Sequence, residues 1–225
     1  MHRITKELLS KKDEKYKKFH AKLVPDTKYE IIGVRVPAIR KTVKTVSSCE
    51  EIYSFLKDKH HYYEEYLAHG LLIGKIDDQS EAYALLEEFL PFIDNWAICD
   101  IVVSSLKKLA KNKDLLLEKV RKWIKSDQVY TVRFAIVCLL DYFTDKKYTN
   151  EIIKTVSAIN TDEYYINMAI AWLLSVILVK NYDDGIRLIE NKTLPKFIQN
   201  KTIDKARDSF RINKAKKEYL KTLKI

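Results

Sequence analysis

The sequence predicts an all-α fold, specifically an α-α superhelix, or solenoid, of HEAT-like helical repeats with a concave groove. Apolar residues recur at helical spacing in segment after segment, and strand-like alternation is not sustained anywhere. The 225 residues include only four Gly and four Pro, which is too few for a turn-rich β-sandwich. Candidate helix caps recur 33 and 35 residues apart, a spacing that is typical of stacked helix pairs.

The individual helices follow from start and stop signals. Pro37 favours a helix start, because the missing N–H is harmless in a first turn. Asp94, Asp127 and Asp162 are interpreted as N-caps of three long apolar helices, each preceded by a shorter amphipathic one. We predict helices near 3–18, 37–47, 50–58, 62–75, 79–89, 95–110, 114–125, 129–143, 148–157, 163–180, 183–190, 195–208 and 214–223. An irregular helical bundle is the alternative architecture.

Composition predicts a soluble cytoplasmic protein. Hydrophobic residues make up 47% of the chain, and no linker or low-complexity segment interrupts it, so we predict a single domain over residues 1–225. The longest apolar run, which starts at Met168, is too short to span a bilayer, and the N-terminus has no apolar signal core. Cys99 and Cys138 lie in apolar helical runs and are interpreted as buried reduced thiols. We expect a monomer without membrane association.

The positive charge is concentrated at the two ends of the chain. Residues 1–48 carry 13 basic and 5 acidic side chains, and residues 192–225 carry 11 basic and 3 acidic ones. The middle is acidic, although the whole chain has a net charge of +10. This layout favours a polyanion that is bound at both ends. The alternative is that lysines merely solvate exposed helix faces.

Four unusual residues share one helix register. Counted from the predicted caps, Trp96 has an offset of two and Asp100 an offset of six. Arg133 also has an offset of six, and Trp172 an offset of ten. Offsets that differ by four lie on one helix face, so equivalent helices would bring two indoles, a carboxylate and a guanidinium together. The alternative is a buried Asp100–Arg133 ion pair with both tryptophans in the core.

Other site chemistries have little support in the sequence. The histidines and cysteines show no metal-ligand spacing, and His60–His61 is interpreted as a solvated turn. With four glycines there is no phosphate-cradling loop, and no GxSxG elbow occurs. We therefore expect neither a metal nor a cofactor.

Five segments then resemble one known family. The segments "DNWAICD", "YTVRFAIV" and "YYINMAIAWLL" contain the four unusual residues, with "IIGVRVPAIRK" upstream and "NKTIDKARDSFRI" downstream. In this order they resemble the AlkD-like DNA alkylation repair family, from about Tyr16 to the C-terminus.

The resemblance implies a DNA glycosylase. Members excise cationic N-alkylated purines, chiefly 3-methyladenine and 7-methylguanine, from duplex DNA without conventional base flipping. By position, Asp100 corresponds to the catalytic carboxylate, and Trp96 and Trp172 correspond to aromatic walls against the sugar and backbone. Arg133 corresponds to the residue that holds the neighbouring phosphate and helps to position Asp100. A carboxylate suits this reaction, because positive charge develops on the sugar as the glycosidic bond breaks.

The basic ends are the predicted contacts to DNA that flanks the lesion. Such phosphate contacts are sensitive to salt and blind to sequence. The candidate DNA-binding residues are Arg35, Arg40, Lys41, Lys201, Arg207 and Arg211. The family tends to carry basic residues on both sides of the Trp172 position, whereas this chain has Asn167, Met168 and "LLSV" there. A non-catalytic solenoid that binds distorted or branched DNA, and a protein-interaction scaffold, are the alternative functions.

Overall fold

The computed structural model describes all 225 residues, and its regular structure is entirely helical. Two short 3-10 turns, Leu90–Phe92 and Leu109–Lys111, and one isolated β-bridge between Glu30 and Tyr62 complete it. The α-helices are α1 (Arg3–Leu9), α2 (Glu14–Ala21), α3 (Val36–Thr45), α4 (Cys49–Lys57), α5 (Tyr63–Ile73), α6 (Gln79–Phe89), α7 (Trp96–Val103), α8 (Lys113–Trp123), α9 (Val129–Tyr142), α10 (Lys146–Ser157), α11 (Tyr164–Lys180), α12 (Tyr182–Glu190), α13 (Lys196–Asp208) and α14 (Lys214–Thr222). The all-α prediction is confirmed, and the helices fit an α-α solenoid.

By its backbone contacts the chain divides into two compact units, Met1–Lys113 and Asp114–Ile225. In the first unit α1, α3, α5 and α7 lie side by side in chain order, and α4 and α6 pack against α5. Helix α5 is buried along almost its whole length and forms the centre of this unit. The single-domain assignment stays a prediction.

The second unit repeats the same pattern. Helix α11 packs between α9 and α13, while α10 and α12 cover it from another side and α14 packs on α13. Ten consecutive residues of α9, from Thr131 to Leu140, are buried, which matches the apolar run read from the sequence. Within each unit, considered by itself, the odd-numbered helices lie side by side, and they carry most of the predicted site residues.

A buried carboxylate fixes the segment between α2 and α3. Glu64 on α5 is fully buried and accepts hydrogen bonds from the backbone N–H groups of Ile32, Gly33 and Val34, at 2.7–2.9 Å. Gly33 has a φ of +98°, and a Cβ there would lie 2.5 Å from the carbonyl oxygen of Asp13. Three donors satisfy a carboxylate that would otherwise be costly to bury.

Two predicted helices and three predicted caps were wrong in detail. The helix expected at 3–18 is broken, because Asp13 caps α2 and donates its backbone N–H to Gly33. The helix expected at 95–110 ends at Val103. The cap of α7 is Asn95 rather than Asp94. Helices α9 and α11 begin after Gln128 and Glu163 rather than Asp127 and Asp162, without side-chain caps.

The prediction that His60 and His61 form a solvated turn was also wrong for His60. His60 is buried between Phe55 and Tyr66, and its Nε2 lies 2.8 Å from Nδ1 of His69. Cys99 and Cys138 are buried and form no disulfide, as predicted. None of the helices combines the length and the hydropathy that a bilayer-spanning segment requires.

Candidate functional site

Helix α7 has one buried face and one partly exposed face, which forms a stripe along the helix. Its buried residues are Ala97, Ile98, Cys99, Val102 and Val103, which anchor it against α5. Trp96 and Asp100 are partly exposed, and their spacing of four places them on one face of the helix. Ser104, four residues further along, is also partly exposed and extends the stripe.

The loop between α2 and α3 holds the N-terminal end of this stripe. The indole Nε1 of Trp96 donates a 2.9 Å hydrogen bond to the carbonyl of Leu23. Asp94 accepts hydrogen bonds from the hydroxyl of Thr27 and the backbone N–H of Lys28, which explains why it does not cap α7. The position of the Trp96 ring is therefore set by a segment about seventy residues earlier in the chain.

A predicted DNA-binding cation lies at the other end of the stripe. The guanidinium of Arg40 on α3 donates a 3.1 Å hydrogen bond to Oγ of Ser104, whose hydroxyl in turn donates to the carbonyl of Ile101. Ser104 is one helical turn, or about 6 Å along the axis, beyond Asp100. An indole, a carboxylate and a guanidinium thus follow one another along the exposed face of the first unit.

In the second unit, Arg133 joins α9 to the first turn of α11. Its side chain is buried, and Nη1 donates a 2.8 Å hydrogen bond to the carbonyl of Tyr165. Burial lowers the pKa of Lys205 on α13, and the charges of Lys201 and Arg133 lower it further. Arg133 is therefore a buried cation that is held by a carbonyl of α11.

Trp172 lies two helical turns beyond Tyr165 on α11. It is partly exposed, as are Met168, Val176 and Val179 at helical spacing, so the accessible face of α11 is largely apolar. Trp172 also lines a cavity of about 380 Å³ that is completed by the C-terminal end of α13. The indole thus forms one wall of an open site rather than part of the core.

The remaining predicted basic residues differ in their surroundings. Lys41 is exposed on α3, and Lys201 is partly exposed on α13. Arg35 lies 4.6 Å from the centre of the Tyr16 ring and 3.1 Å from the carboxylate of Asp13. The pKa of Asp13 is lowered, first by a hydrogen bond from the Tyr16 N–H and then by Arg35.

The two arginines near the C-terminus have different roles. Arg207 donates to the carbonyl of Lys217 and lies 4.0 Å from Glu218, so it ties α13 to α14. Arg211 is exposed and lines the cavity beside Trp172.

The predicted site residues occur in both units. Trp96, Asp100 and Arg40 share one surface in the first unit, and Arg133 and Trp172 belong to neighbouring helices of the second. The sequence reasoning missed Ser104 and Lys205. The four-residue spacing from Asp100 to Ser104, and from Lys201 to Lys205, was the signal that could have found them. No three His, Cys, Asp or Glu side chains are grouped as metal ligands.

The chain also matches one known protein family. A family model described as "DNA alkylation repair enzyme" matches residues 4–205. The match includes all four unusual residues and ends before Arg207 and Arg211. No curated protein matches the chain at a significant level.

Proposed function

The chain belongs to the AlkD-like DNA alkylation repair enzyme family, and from this premise we propose that it is a DNA glycosylase. Its substrates are duplex DNA molecules that contain cationic N-alkylated purines, with 3-methyladenine and 7-methylguanine as the main lesions. The observation that carries the proposal is the exposed stripe on α7, where Trp96, Asp100 and the Arg40-bound Ser104 succeed one another.

Asp100 is the proposed catalytic carboxylate. Alkylation of a ring nitrogen makes the purine a cationic leaving group, so bond breaking transfers positive charge to the deoxyribose. A fixed carboxylate beside that sugar stabilises the developing charge and orients or deprotonates the attacking water. The partial exposure of Asp100 supports this role, because the group must reach a sugar on the surface of DNA.

The neighbouring groups of the stripe bind the substrate. The indole of Trp96 is held by Leu23 and offers an apolar face to the sugar and backbone, and such a face also attracts a cation. Arg40, which donates a hydrogen bond to Ser104 one turn beyond Asp100, is suited to a phosphate of the same strand. As the resemblance to the AlkD-like family implies, we propose that the enzyme acts at the sugar while the lesion stays stacked; the partial exposure of Trp96 and Asp100 on α7 is compatible with this.

Two residues of the second unit are also proposed to contact DNA. Arg133 contributes a fixed positive charge near α11, and Trp172 contributes a second aromatic wall. Both act on the DNA backbone, so both affect binding and positioning more than the chemical step.

The test is the release of free base. Purified protein is incubated with methylated duplex DNA, and released 7-methylguanine and 3-methyladenine are separated by chromatography. The expected result is time-dependent release by the wild type that is at least tenfold slower in Asp100→Asn, with DNA binding retained. Tight binding without release by the wild type would exclude the glycosylase and favour a non-catalytic DNA-binding protein. Absence of both activities would favour a protein-interaction scaffold.

A further inference from the structure

The carboxylate of Asp94 links the loop between α2 and α3 to the start of α7. Its two oxygens accept hydrogen bonds from the hydroxyl of Thr27 at 3.0 and 3.1 Å, and one of them also accepts the backbone N–H of Lys28 at 2.6 Å. The same carboxylate accepts a 2.7 Å hydrogen bond from the side-chain amide of Asn95. Asp94 therefore binds donors from both sides of the junction between the loop and the helix.

Asn95 connects this carboxylate to α7. Its side chain is buried, and its amide oxygen accepts hydrogen bonds from the backbone N–H groups of Ala97 and Ile98 at 3.0 Å, which caps the helix. An asparagine caps a helix only when its oxygen, rather than its nitrogen, faces the free N–H groups. Because Asp94 accepts a hydrogen bond from the nitrogen, it stabilises this orientation of the amide. The first turn of α7, which contains Trp96, begins at that cap.

The same loop also binds the ring of Trp96. The indole Nε1 donates to the carbonyl of Leu23, which lies at the N-terminal end of the loop. Tyr29 fixes another part of the loop, because its hydroxyl donates a 2.7 Å hydrogen bond to the carbonyl of Phe92 in the 3-10 turn before α7. Asp94 is thus the side chain that joins the two supports of Trp96, the cap that begins its helix and the loop that binds its ring.

We propose that Asp94 is a positioning residue for base excision, which acts through Asn95 and the loop to hold the Trp96 ring and the start of the helix that carries Asp100. The inference rests on the proposed function in that Trp96 and Asp100 act on the lesion. A displacement of about 1 Å in a group that positions a substrate lowers a rate by as much as roughly 100-fold. A carboxylate that does not react with the substrate therefore influences the rate through the geometry that it maintains.

The first test observes the indole of Trp96 directly. The chain contains three tryptophans, so nuclear magnetic resonance of the nitrogen-15-labelled protein gives three indole N–H signals, and Trp96→Phe identifies the signal of Trp96. Asp94→Asn replaces one acceptor oxygen with an NH2 group that faces a donor of either Lys28 or Asn95. The Trp96 signal should shift, and its proton should exchange faster with water, while the other two signals stay in place. A general loss of stability would not select one indole.

The second test measures rate and affinity separately. With methylated duplex saturated by protein, Asp94→Asn should release 7-methylguanine about tenfold more slowly than the wild type. The dissociation constant for the duplex should change by less than about twofold, because phosphate contacts dominate the affinity. The double variant Asp94→Asn/Asn95→Asp exchanges the two side chains, which restores a donor and an acceptor between them and leaves a carboxylate to cap α7. It should recover the wild-type Trp96 signal and most of the rate. Asp26→Asn, at an exposed position in the same loop, should match the wild type throughout.

Three results would overturn the inference: an unchanged Trp96 signal in Asp94→Asn, a shifted signal with a wild-type rate, or a double variant that is no better than the single one. If Asp94→Asn does not fold, Thr27→Val takes its place, because it removes one donor to the carboxylate and should shift the same signal by a smaller amount. An unshifted signal in that variant also overturns the inference. If the wild type releases no base but the signals shift and recover as expected, the glycosylase proposal fails and the anchoring of Trp96 by Asp94 stands.

Discussion

The guanidinium of Arg40 is hydrogen-bonded to Oγ of Ser104 at 3.1 Å, although the two residues are 64 positions apart. This bond places a cation from α3 on the same exposed face of α7 that carries Asp100. It joins a predicted DNA-binding residue to the predicted catalytic helix within one compact unit.

Asp100→Asn should separate binding from catalysis. The amide keeps the shape of the side chain but removes the charge that would stabilise a sugar cation. We expect at least a tenfold loss in the rate of 7-methylguanine release, on the order of 1.4 kcal/mol, with little change in duplex affinity. Asp58→Asn, at an exposed position after α4, is the matched control and should keep full activity. Equal rates for the two variants would remove Asp100 from the mechanism.

Arg40→Gln should weaken binding to damaged and undamaged DNA by the same factor. A lost phosphate contact affects damaged and undamaged duplexes alike, and it should lower the salt slope by about 0.9. Fluorescence anisotropy titrations with both duplexes measure this effect. Lys57→Gln, which removes an exposed cation from the last turn of α4, should change neither quantity. A loss of affinity confined to the damaged duplex would contradict a phosphate role for Arg40.

Trp96→Phe should loosen the loop that contacts α7. The substitution keeps an aromatic ring but removes the donor to the Leu23 carbonyl, at a cost of about 1 kcal/mol or less because that carbonyl can bind water instead. Hydrogen exchange followed by mass spectrometry should show faster exchange in residues 22–30. Trp123→Phe, on α8, should leave exchange in that loop unchanged. Unchanged exchange in Trp96→Phe would mean that the indole does not hold the loop.

Glu64→Gln should destabilise the first unit markedly. Its carboxylate accepts three backbone N–H groups in a fully buried position, and the amide replaces one acceptor oxygen with a donor that faces an N–H. A loss of about 2–3 kcal/mol in the free energy of unfolding is expected from urea titrations. Glu50→Gln on the exposed side of α4 should change stability by less than about 0.5 kcal/mol.

Stability should fall in mildly acidic solution because of histidines that are buried or half-buried. Burial and the adjacent His60 lower the pKa of His69 from 6.5 to about 3. As the pH falls, the unfolded chain therefore binds a proton at His69 at a higher pH than the folded chain does. The free energy of unfolding is accordingly highest above pH 6.5 and decreases as the pH falls towards 3. The decline approaches at most about 1.4 kcal/mol per pH unit for one histidine.

Urea unfolding between pH 7 and pH 5 measures this decline. His69→Phe should reduce the slope, with a remainder from His20 and His60, whose pKa values burial also lowers. His61→Gln, an exposed control, should keep the wild-type slope. If His69→Phe and the wild type had equal slopes, His69 would not be the source of the pH dependence.

Helical periodicity predicted most of the fold because the two units are built from local helix pairs. Eleven of the helices, α3–α6 and α8–α14, have observed ends within two residues of their predicted ends. The errors arose where distant residues intervened. Asp94 does not cap α7, because its carboxylate accepts hydrogen bonds from Thr27 and Lys28. The first predicted helix is interrupted at Asp13, whose backbone N–H donates to the carbonyl of Gly33. Such pairings leave no periodic signal in a single sequence.

Within one helix the relative positions of the candidate site residues were predictable, whereas the contacts between helices were not. Trp96 and Asp100 could be placed on one face because they share a helix, where a spacing of four fixes their direction. The bonds of Arg40 to Ser104 and of Arg133 to Tyr165 depend on how separate helices pack. The use of Arg207 as a link to α14, rather than as a free cation, likewise required coordinates. Charge counts alone did not distinguish it from Arg211.

The side-by-side order of the odd-numbered helices also has a consequence for synthesis of the protein. Neighbours within that layer are separated in the chain by a single intervening helix or short segment, so most tertiary contacts join residues that leave the ribosome close together in time. Low contact order of this kind accelerates folding. Each apolar helix, including α9 and α11, can be covered soon after it emerges, which shortens its exposure to aggregation.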